Sequence, residues 1–314
     1  NNVDTHTGIA VDQRPLESFT SSDFLPFQAG MESGGGKTAV LVSHNIMTAV
    51  DGDLPASLSP KVHGLLRTDL GFDGVVMTDD LAMDALKKYT AGGAAAVLAF
   101  ARAGYDVAFT YNAHPDAAEA VLRRAAAAAQ GGRFLAIQAD AGDSAQVQAA
   151  VEQAQRELGG LQVLVCNAGI AQVKLFTDTT DEDWRRMMAV DLDGAFYACR
   201  AVLPGMVHQK YGRILLVSSM WGQTGASCEV AYSAAKAGLI GLGKALAKEE
   251  GPSGITVNVI APGVIDTDMM AGFTAEDRAA LAEETPVERL GTADEIARTM
   301  VFLADEASGY ITGQ

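Results

Sequence analysis

A chain of 314 residues that is 48% hydrophobic and 20% charged can bury one large or two modest globular cores. Its formal net charge of −16 leaves no basic footprint for nucleic acid or an anionic membrane, so neither is an expected partner. The three cysteines, Cys166, Cys199 and Cys228, lack CxxC spacing; they fit reduced thiols in a cytoplasmic compartment and argue against a metal site. No apolar run reaches the roughly 18 residues of a membrane span, and the polar start NNVDTHTG does not have the form of a signal peptide.

In chain order, residues 1–36 read as loop with one helix over 22–28, closing in Ser33-Gly34-Gly35-Gly36. AVLVSH (39–44) reads as a buried strand, and Ser59-Pro60 as the N-cap and first turn of a helix through KVHGLLRTDL. GFDGVVMTDD (71–80) reads as a second strand. From residue 92 the pattern becomes regular. Helices are predicted over 93–103, 115–129, 144–158, 181–209, 230–250, 275–284 and 292–304, and strands over 105–111, 133–140, 161–169, 213–219 and 255–263. Strands that are apolar throughout, alternating with amphipathic helices, require a parallel sheet covered on both faces. The expected class is therefore α/β, a doubly wound, Rossmann-like sheet. Gly34-Gly35-Gly36-Lys37-Thr38 is not a phosphate loop, because Met31 stands where the first glycine belongs and a strand follows instead of a helix.

In AYSAAKAG (231–238), Tyr232 and Lys236 lie four residues apart and share one helix face. An ammonium beside a phenol favours phenolate and lowers the tyrosine pKa from about 10, so that the phenol can exchange a proton with a carbonyl or alcohol oxygen. Thirteen residues upstream, Ser219 ends the strand in LLVSSMWG, where its hydroxyl can bond the same oxygen. With CNAG (166–169), VDLDG (190–194) and APGVIDTDM (261–269), these motifs resemble the classical short-chain dehydrogenase/reductase family, in particular its 3-oxoacyl-carrier-protein-reductase-like members, over residues 93–314.

That resemblance implies Tyr232 as acid/base, Ser219 as the substrate-orienting group, and Lys236 as the residue that lowers the Tyr232 pKa and contacts the nicotinamide ribose. It places Asn167, Ala168 and Gly169 along the cofactor, Asp140 at the adenine edge, and Pro262, Gly263 and Thr267 beside the nicotinamide. It also implies a small-molecule or acyl-carrier substrate and a homo-oligomer built through the helices over 181–209 and 230–250. No acid closes the strand at Thr110-Tyr111-Asn112, where an NAD enzyme would hold the ribose hydroxyls, so NADP is favoured over NAD.

The chain departs from the family pattern in several places. Asp191 stands where the family usually has Asn, so a proton-relay amide becomes a carboxylate, and Cys166 replaces the first Asn of NNAG. The opening strand and Gly-rich TGxxxGxG turn, whose amides would receive the pyrophosphate at a helix N-terminus, have no counterpart; Ala91-Gly92-Gly93 lacks the spacing. The family also continues past YITGQ into a final strand.

The N-terminal part carries different chemistry. A carboxylate at a strand end can act as nucleophile, and an Asp two residues from a His can orient it. DTHTGIAVD, DFLPFQAGMESG, AVLVSHNI and LPASLSPKVHGLLRTDLGFDGVVMTDDLAM resemble family 3 glycoside hydrolases of the β-N-acetylhexosaminidase type over residues 1–100. The resemblance implies a partial segment derived from a TIM barrel, with Asp79 as nucleophile, His6 supported by Asp4 as acid/base, and His44 in the sugar pocket. A closed barrel needs eight strands, and this stretch supplies two recognisable ones.

The two resemblances meet in GGAAAVLAFARAGYDV, and the expected organisation is a hydrolase-like segment over 1–92 followed by a reductase-like domain over 93–314. On this reading GFDGVVMTDD takes the place of the missing first reductase strand. Asp79 and Asp80 then face the incoming pyrophosphate, and a close like-charge pair at an effective dielectric near 20 costs up to about 4 kcal/mol. The leading expectation is a carbonyl reductase with weakened NADP binding. The alternatives are a retaining hexosaminidase and a folded chimera in which neither site is complete.

Overall fold

The computed structural model describes residues 11–24, 39–42, 46–51, 56, 59, 61–62, 65, 75–78, 92–129, 131–267, 270 and 273–314. The chain divides into two compact units, Asn1–Tyr89 and Thr90–Gln314.

In the first unit, β1 (Val11–Asp12) pairs in parallel with β3 (Ile46–Met47), and β2 (Ala39–Val42) pairs in parallel with β4 (Val75–Thr78). Among the described residues these pairs do not join into a larger sheet. A short helix, α1 (Leu16–Ser18), widens into a π turn over Phe19–Asp23, ahead of the predicted span 22–28, of which residues 25–28 lie outside the described set. Arg14 ties this turn down: it bonds Asp12 at 2.8 Å and Asp23 at 3.1 Å and stacks over the Phe19 ring. Ser59 caps as predicted, its hydroxyl accepting from the Val62 amide at 3.2 Å and donating to Asp51 at 2.8 Å.

The second unit follows the predicted alternation closely. Its elements are α2 (Gly92–Arg102), β5 (Val107–Tyr111), α3 (Pro115–Ala128), β6 (Phe134–Gln138), α4 (Ser144–Leu158), β7 (Val163–Cys166), α5 (Asp181–Met188) and α6 (Gly194–Gln209). Then come β8 (Gly212–Val217), α7 (Trp221–Thr224), α8 (Val230–Glu250), β9 (Ile255–Ile260), β10 (Ile265–Asp266), α9 (Ala275–Glu284), β11 (Gly291–Thr292) and α10 (Ala293–Ala304). All strand pairings are parallel. Local signals explain the helix starts. Asp143 accepts from the Ala145 and Gln146 amides ahead of α4, and capping boxes open α5 (Thr180/Asp183), α9 (Thr274/Asp277) and α10 (Thr292/Glu295).

Helices cover both faces. On one, Ala96 and Phe100 of α2 and Met300 and Ala304 of α10 pack on Leu215, with Val107, Val163, Val165, Val217 and Ile260 around them. On the other, Val151 of α4, Cys199, Val202 and Met206 of α6, and Leu239 and Ala247 of α8 enclose Ile214, Leu216, Ile255 and Val257. This is a mixed α/β fold with parallel sheets between helical layers, as expected. The last residues run beside β9, where the Gly313 amide bonds the Val257 carbonyl at 2.7 Å and the Val259 amide bonds the Gln314 carbonyl at 2.8 Å.

The helix predicted over 181–209 is present but widens within its run: α5 passes into α6 through a π turn, Ala189–Asp193, that contains Asp191. Within GFDGVVMTDD the described residues form β4, which pairs with β2. Among the described residues the second unit's main strands pair as β5-β6 and β7-β8-β9, with a division between the two groups. The helix α2 packs on Val107 of β5 and on Val163 and Val165 of β7, and so spans the division.

In a parallel ladder alternate residues bond to opposite sides, and the Arg213 amide donates to the Gln162 carbonyl at 2.9 Å. By that alternation Leu164 and Cys166 bond β8, while Val163 and Val165 point their amides toward the division. Native-state hydrogen exchange is therefore expected to be faster at Val163 and Val165 than at Leu164 and Cys166, by on the order of tenfold or more. Equal protection of all four would show that a strand fills the division.

Candidate active site

The candidate site is built where β7, β8 and β9 end, the crevice at the carboxyl ends of a parallel sheet. The ends of β8 and β9 are fastened together, the Ser218 amide bonding the Ile260 carbonyl at 2.7 Å and the Met220 amide bonding the Pro262 carbonyl at 2.9 Å. The β8 end is also latched to α8. Ser218 Oγ donates to the Lys236 carbonyl at 2.7 Å, and Lys236 Nζ donates to the Val217 carbonyl at 3.1 Å. Gly222 permits this approach, because a Cβ there would lie 2.8 Å from the Lys236 carbonyl carbon and 2.8 Å from Ser218 Oγ. The latch escaped sequence reading. The second serine in LLVSS was its one visible sign.

Ser219, Tyr232 and Lys236 come together as their spacing requires. Ser219 Oγ accepts from the Trp221 amide at 3.2 Å, and the Ser219 hydroxyl lies near enough to the Tyr232 phenol to favour its charged form. Lys236 Nζ lies 5.5 Å from the Tyr232 ring centroid. The electrostatics differ from expectation. Burial pushes the Tyr232 phenol above its ordinary value, Ser219 pulls it down, and the carboxylates of Asp191 and Glu229 push it further up.

Burial is the largest cause of the difference, and Asp191 adds to it. Its side chain is wholly buried, with Oδ1 accepting from the Ile170 amide at 2.9 Å and Oδ2 lying 3.2 Å from Lys236 Nζ. Burial raises its carboxyl from the usual carboxylate range, while Lys236 and the Ile170 amide favour the charged form. Gly169 lies over this ion pair. A Cβ there would stand 3.0 Å from Asp191 Oδ2 and 3.1 Å from Lys236 Nζ, so a side chain in the loop after β7 would press on the pair.

The other predicted cofactor residues line the same crevice. Asn167, Ala168, Gly169 and Gly263 are exposed, Pro262 and Thr267 are half-buried, and a Cβ on Gly93 in the first turn of α2 would come 3.9 Å from Asn167 Nδ2. Open backbone at three strand ends, next to a buried ammonium, fits the nicotinamide half of a dinucleotide. Asp140 bonds Arg186 Nη1 at 2.8 Å and accepts from the Gly142 amide at 2.8 Å, and Arg186 holds its carboxyl below the usual range. Together with Gly194, where a Cβ would meet the Ala141 carbonyl at 2.6 Å, this contact seats the Asp191 turn against the loop after β6. Cys166 forms a thiol contact with Cys199 that, with burial, pushes it well above the ordinary thiol value. The hydrolase candidates Asp4, His6, His44 and Asp79 lie outside the described residues, as does Asp80.

Fold and site together define an α/β oxidoreductase of the short-chain type. Residues 91–314 match the family model described as enoyl-(acyl carrier protein) reductase, and the chain belongs to that short-chain dehydrogenase/reductase family. It is 40% identical over 172 residues to the 3-oxoacyl-[acyl-carrier-protein] reductase FabG of Escherichia coli (strain K12), covering 55% of this chain and 70% of that one. The enzyme of the same name from Staphylococcus aureus (strain Mu50 / ATCC 700699) is 36% identical over 222 residues, covering 71% and 89%. Nodulation protein G of Azospirillum brasilense is 40% identical over 185 residues, covering 59% and 75%. Residues 1–148 also match the glycosyl hydrolase family 3 N terminal domain, so both family models include residues 91–148. Among the described residues no helix is long and apolar enough to cross a membrane.

The latch makes a paired prediction. Gly222→Ala drives a methyl into backbone and should destabilise the chain by about 1–3 kcal/mol, whereas Gly241→Ala on the exposed face of α8, where a Cβ meets nothing within 4 Å, should stabilise it by about 0.5–1 kcal/mol. Urea unfolding of the two variants reads both signs.

Proposed function

We propose that the chain is a nicotinamide-dependent carbonyl reductase whose substrate is a 3-oxoacyl thioester, borne on a carrier or free. The observation that supports this most is the gathering of Ser219 and Tyr232 at the carboxyl ends of the strands, with Lys236 buried and its Nζ 5.5 Å from the Tyr232 ring centroid. The names of the curated relatives point to the same substrate class. In this reading the substrate oxygen sits between Ser219 Oγ and Tyr232 Oη, Ser219 orients it, and Tyr232 gives it a proton. The bound nicotinamide supplies the hydride. Asn167, Gly169, Pro262, Gly263 and Thr267 would hold it, with Lys236 toward its ribose. NADP is preferred because Tyr111-Asn112 offers no carboxylate to the ribose hydroxyls. Phe196 and Val207 on α6 and Val230 on α8 are exposed apolar side chains that suit association of copies through these helices.

A second reading, supported by the match over residues 1–148, treats the N-terminal segment as derived from a barrel hydrolase, with Asp79, His6 and Asp4 acting on terminal N-acetylglucosamine. The boundary we propose between the two segments is near residue 92. A chain joined there can also fold with neither site complete.

Two measurements separate these readings. At millimolar NADPH the chain should oxidise cofactor with a short 3-oxoacyl thioester, and Tyr232→Phe should lower the rate by about 100- to 10,000-fold. Chromophore release from an aryl N-acetylglucosaminide that is abolished by Asp79→Ala and untouched by Tyr232→Phe would establish the hydrolase instead, and silence in both assays with cooperative unfolding retained would establish the incomplete chimera. Calorimetry should give NADPH an affinity weaker than low micromolar, because the sequence ahead of α2 supplies two carboxylates and no Gly-rich turn. Low-micromolar or tighter binding would overturn that.

A further inference from the structure

A lysine four residues beyond a tyrosine should favour phenolate, yet in this structure the lysine is already spent on another partner. Lys236 Nζ is held between the Asp191 carboxylate at 3.2 Å and the Val217 carbonyl at 3.1 Å, and its side chain is only 4% exposed. The Asp191 carboxylate is fixed in turn. The π turn delivers it, the Ile170 amide orients Oδ1, Gly169 closes over it, and its side chain has no exposure to solvent. Seen from the phenol, the neighbouring charge is that of an ion pair, a dipole instead of a unit cation.

We infer that Asp191 is a positioning residue that ties down Lys236 and so keeps Tyr232 in its protonated, proton-donating form across neutral pH. The charged groups that face the phenol are Asp191 from the π turn, Glu229 at the start of α8 and Lys236 on α8, with the Ser219 hydroxyl from the β8 end. Among these groups of the described residues Lys236 is the cation, and it is the one Asp191 holds. A protonated phenol suits the giving of a proton to a substrate carbonyl. Taking a proton from an alcohol needs phenolate, so Asp191 biases the site toward reduction. The functional consequence rests on the reading of Tyr232 as acid/base, but the protonation state itself does not.

The test uses the whole chain without cofactor or substrate. Tyrosinate absorbance is followed against pH, and the Tyr232→Phe curve is subtracted to isolate one phenol from the seven tyrosines. Tyr232 should titrate above the ordinary value of about 10. Asp191→Asn should lower its midpoint by at least about one pH unit, and Asp191→Glu, which keeps the carboxylate, should restore it. A wild-type midpoint at or below the ordinary value overturns the inference even if Asp191→Asn does not fold, as does a midpoint unchanged in a folded Asp191→Asn. Failure of the thioester assay with the titration as expected would discard the reductase reading and leave this inference standing.

Discussion

The candidate site depends on one buried ion pair. Asp191 and Lys236 come from different elements, a π turn and a long helix, and meet 3.2 Å apart with almost no solvent contact. Removing either partner of such a pair typically costs about 3–5 kcal/mol, because the other charge is left buried alone. The surrounding structure is arranged around this constraint. Gly169 gives the pair room, the Ile170 amide satisfies one carboxylate oxygen, and the Val217 carbonyl takes a lysine proton. The Ser218 latch holds the α8 turn that presents Lys236, and Tyr232 follows from the same turn.

The divided sheet poses a second constraint. A parallel α/β domain normally gains its cohesion from a continuous ladder, and here, among the described residues, no ladder joins β5-β6 to β7-β8-β9. Cohesion must then pass through side chains. The Ala96 and Phe100 faces of α2 contact the cluster that contains Val107 on one side and Val163 and Val165 on the other, and on the opposite layer Ile137, Ala139, Ala150 and Ala154 pack with Ala108 and Leu161. Apolar burial is non-directional and tolerates a missing strand better than hydrogen bonding does. The intact half of the sheet, β7-β8-β9, is also the half that bears Ser219 and the loops of Asn167 and Pro262. The chemistry is thus separated from the defect.

Much of the second unit was legible because its signals are local. Asp143, Thr180, Thr274 and Thr292 mark helix starts by residue type alone, and the runs FLAI and ILLV within β6 and β8 are apolar throughout. The Ser219, Tyr232 and Lys236 set was legible because its spacing fixes a helix face and a strand end. What stayed hidden is tertiary. Nothing in DEDWRRMMAVDLDG announces that the helix widens at Asp191, since every residue from Asp181 to Gly194 permits a plain α-helix apart from the cost of the final glycine. That Asp140 would bond Arg186, 46 positions away, is likewise invisible to any local pattern. The direction of the Tyr232 shift is hidden for the same reason, because spacing brings Lys236 to the phenol but reveals neither the burial that raises it most nor the Asp191 carboxylate that adds to it.

The sequence that joins the two family resemblances also shows why a join could be tolerated. GGAAAVLAFAR forms α2, and its alanines at 94–96 and 101 are buried beside Val97, Leu98 and Phe100. Small side chains let a helix lie close to whatever strand it meets, so α2 needs little specific complementarity from the element ahead of it. A Gly-rich cofactor turn is the opposite case, since it must place backbone amides to within a hydrogen bond of a phosphate. Packing on one face of a helix survives replacement of the preceding strand, and an amide cradle at its N-terminus does not.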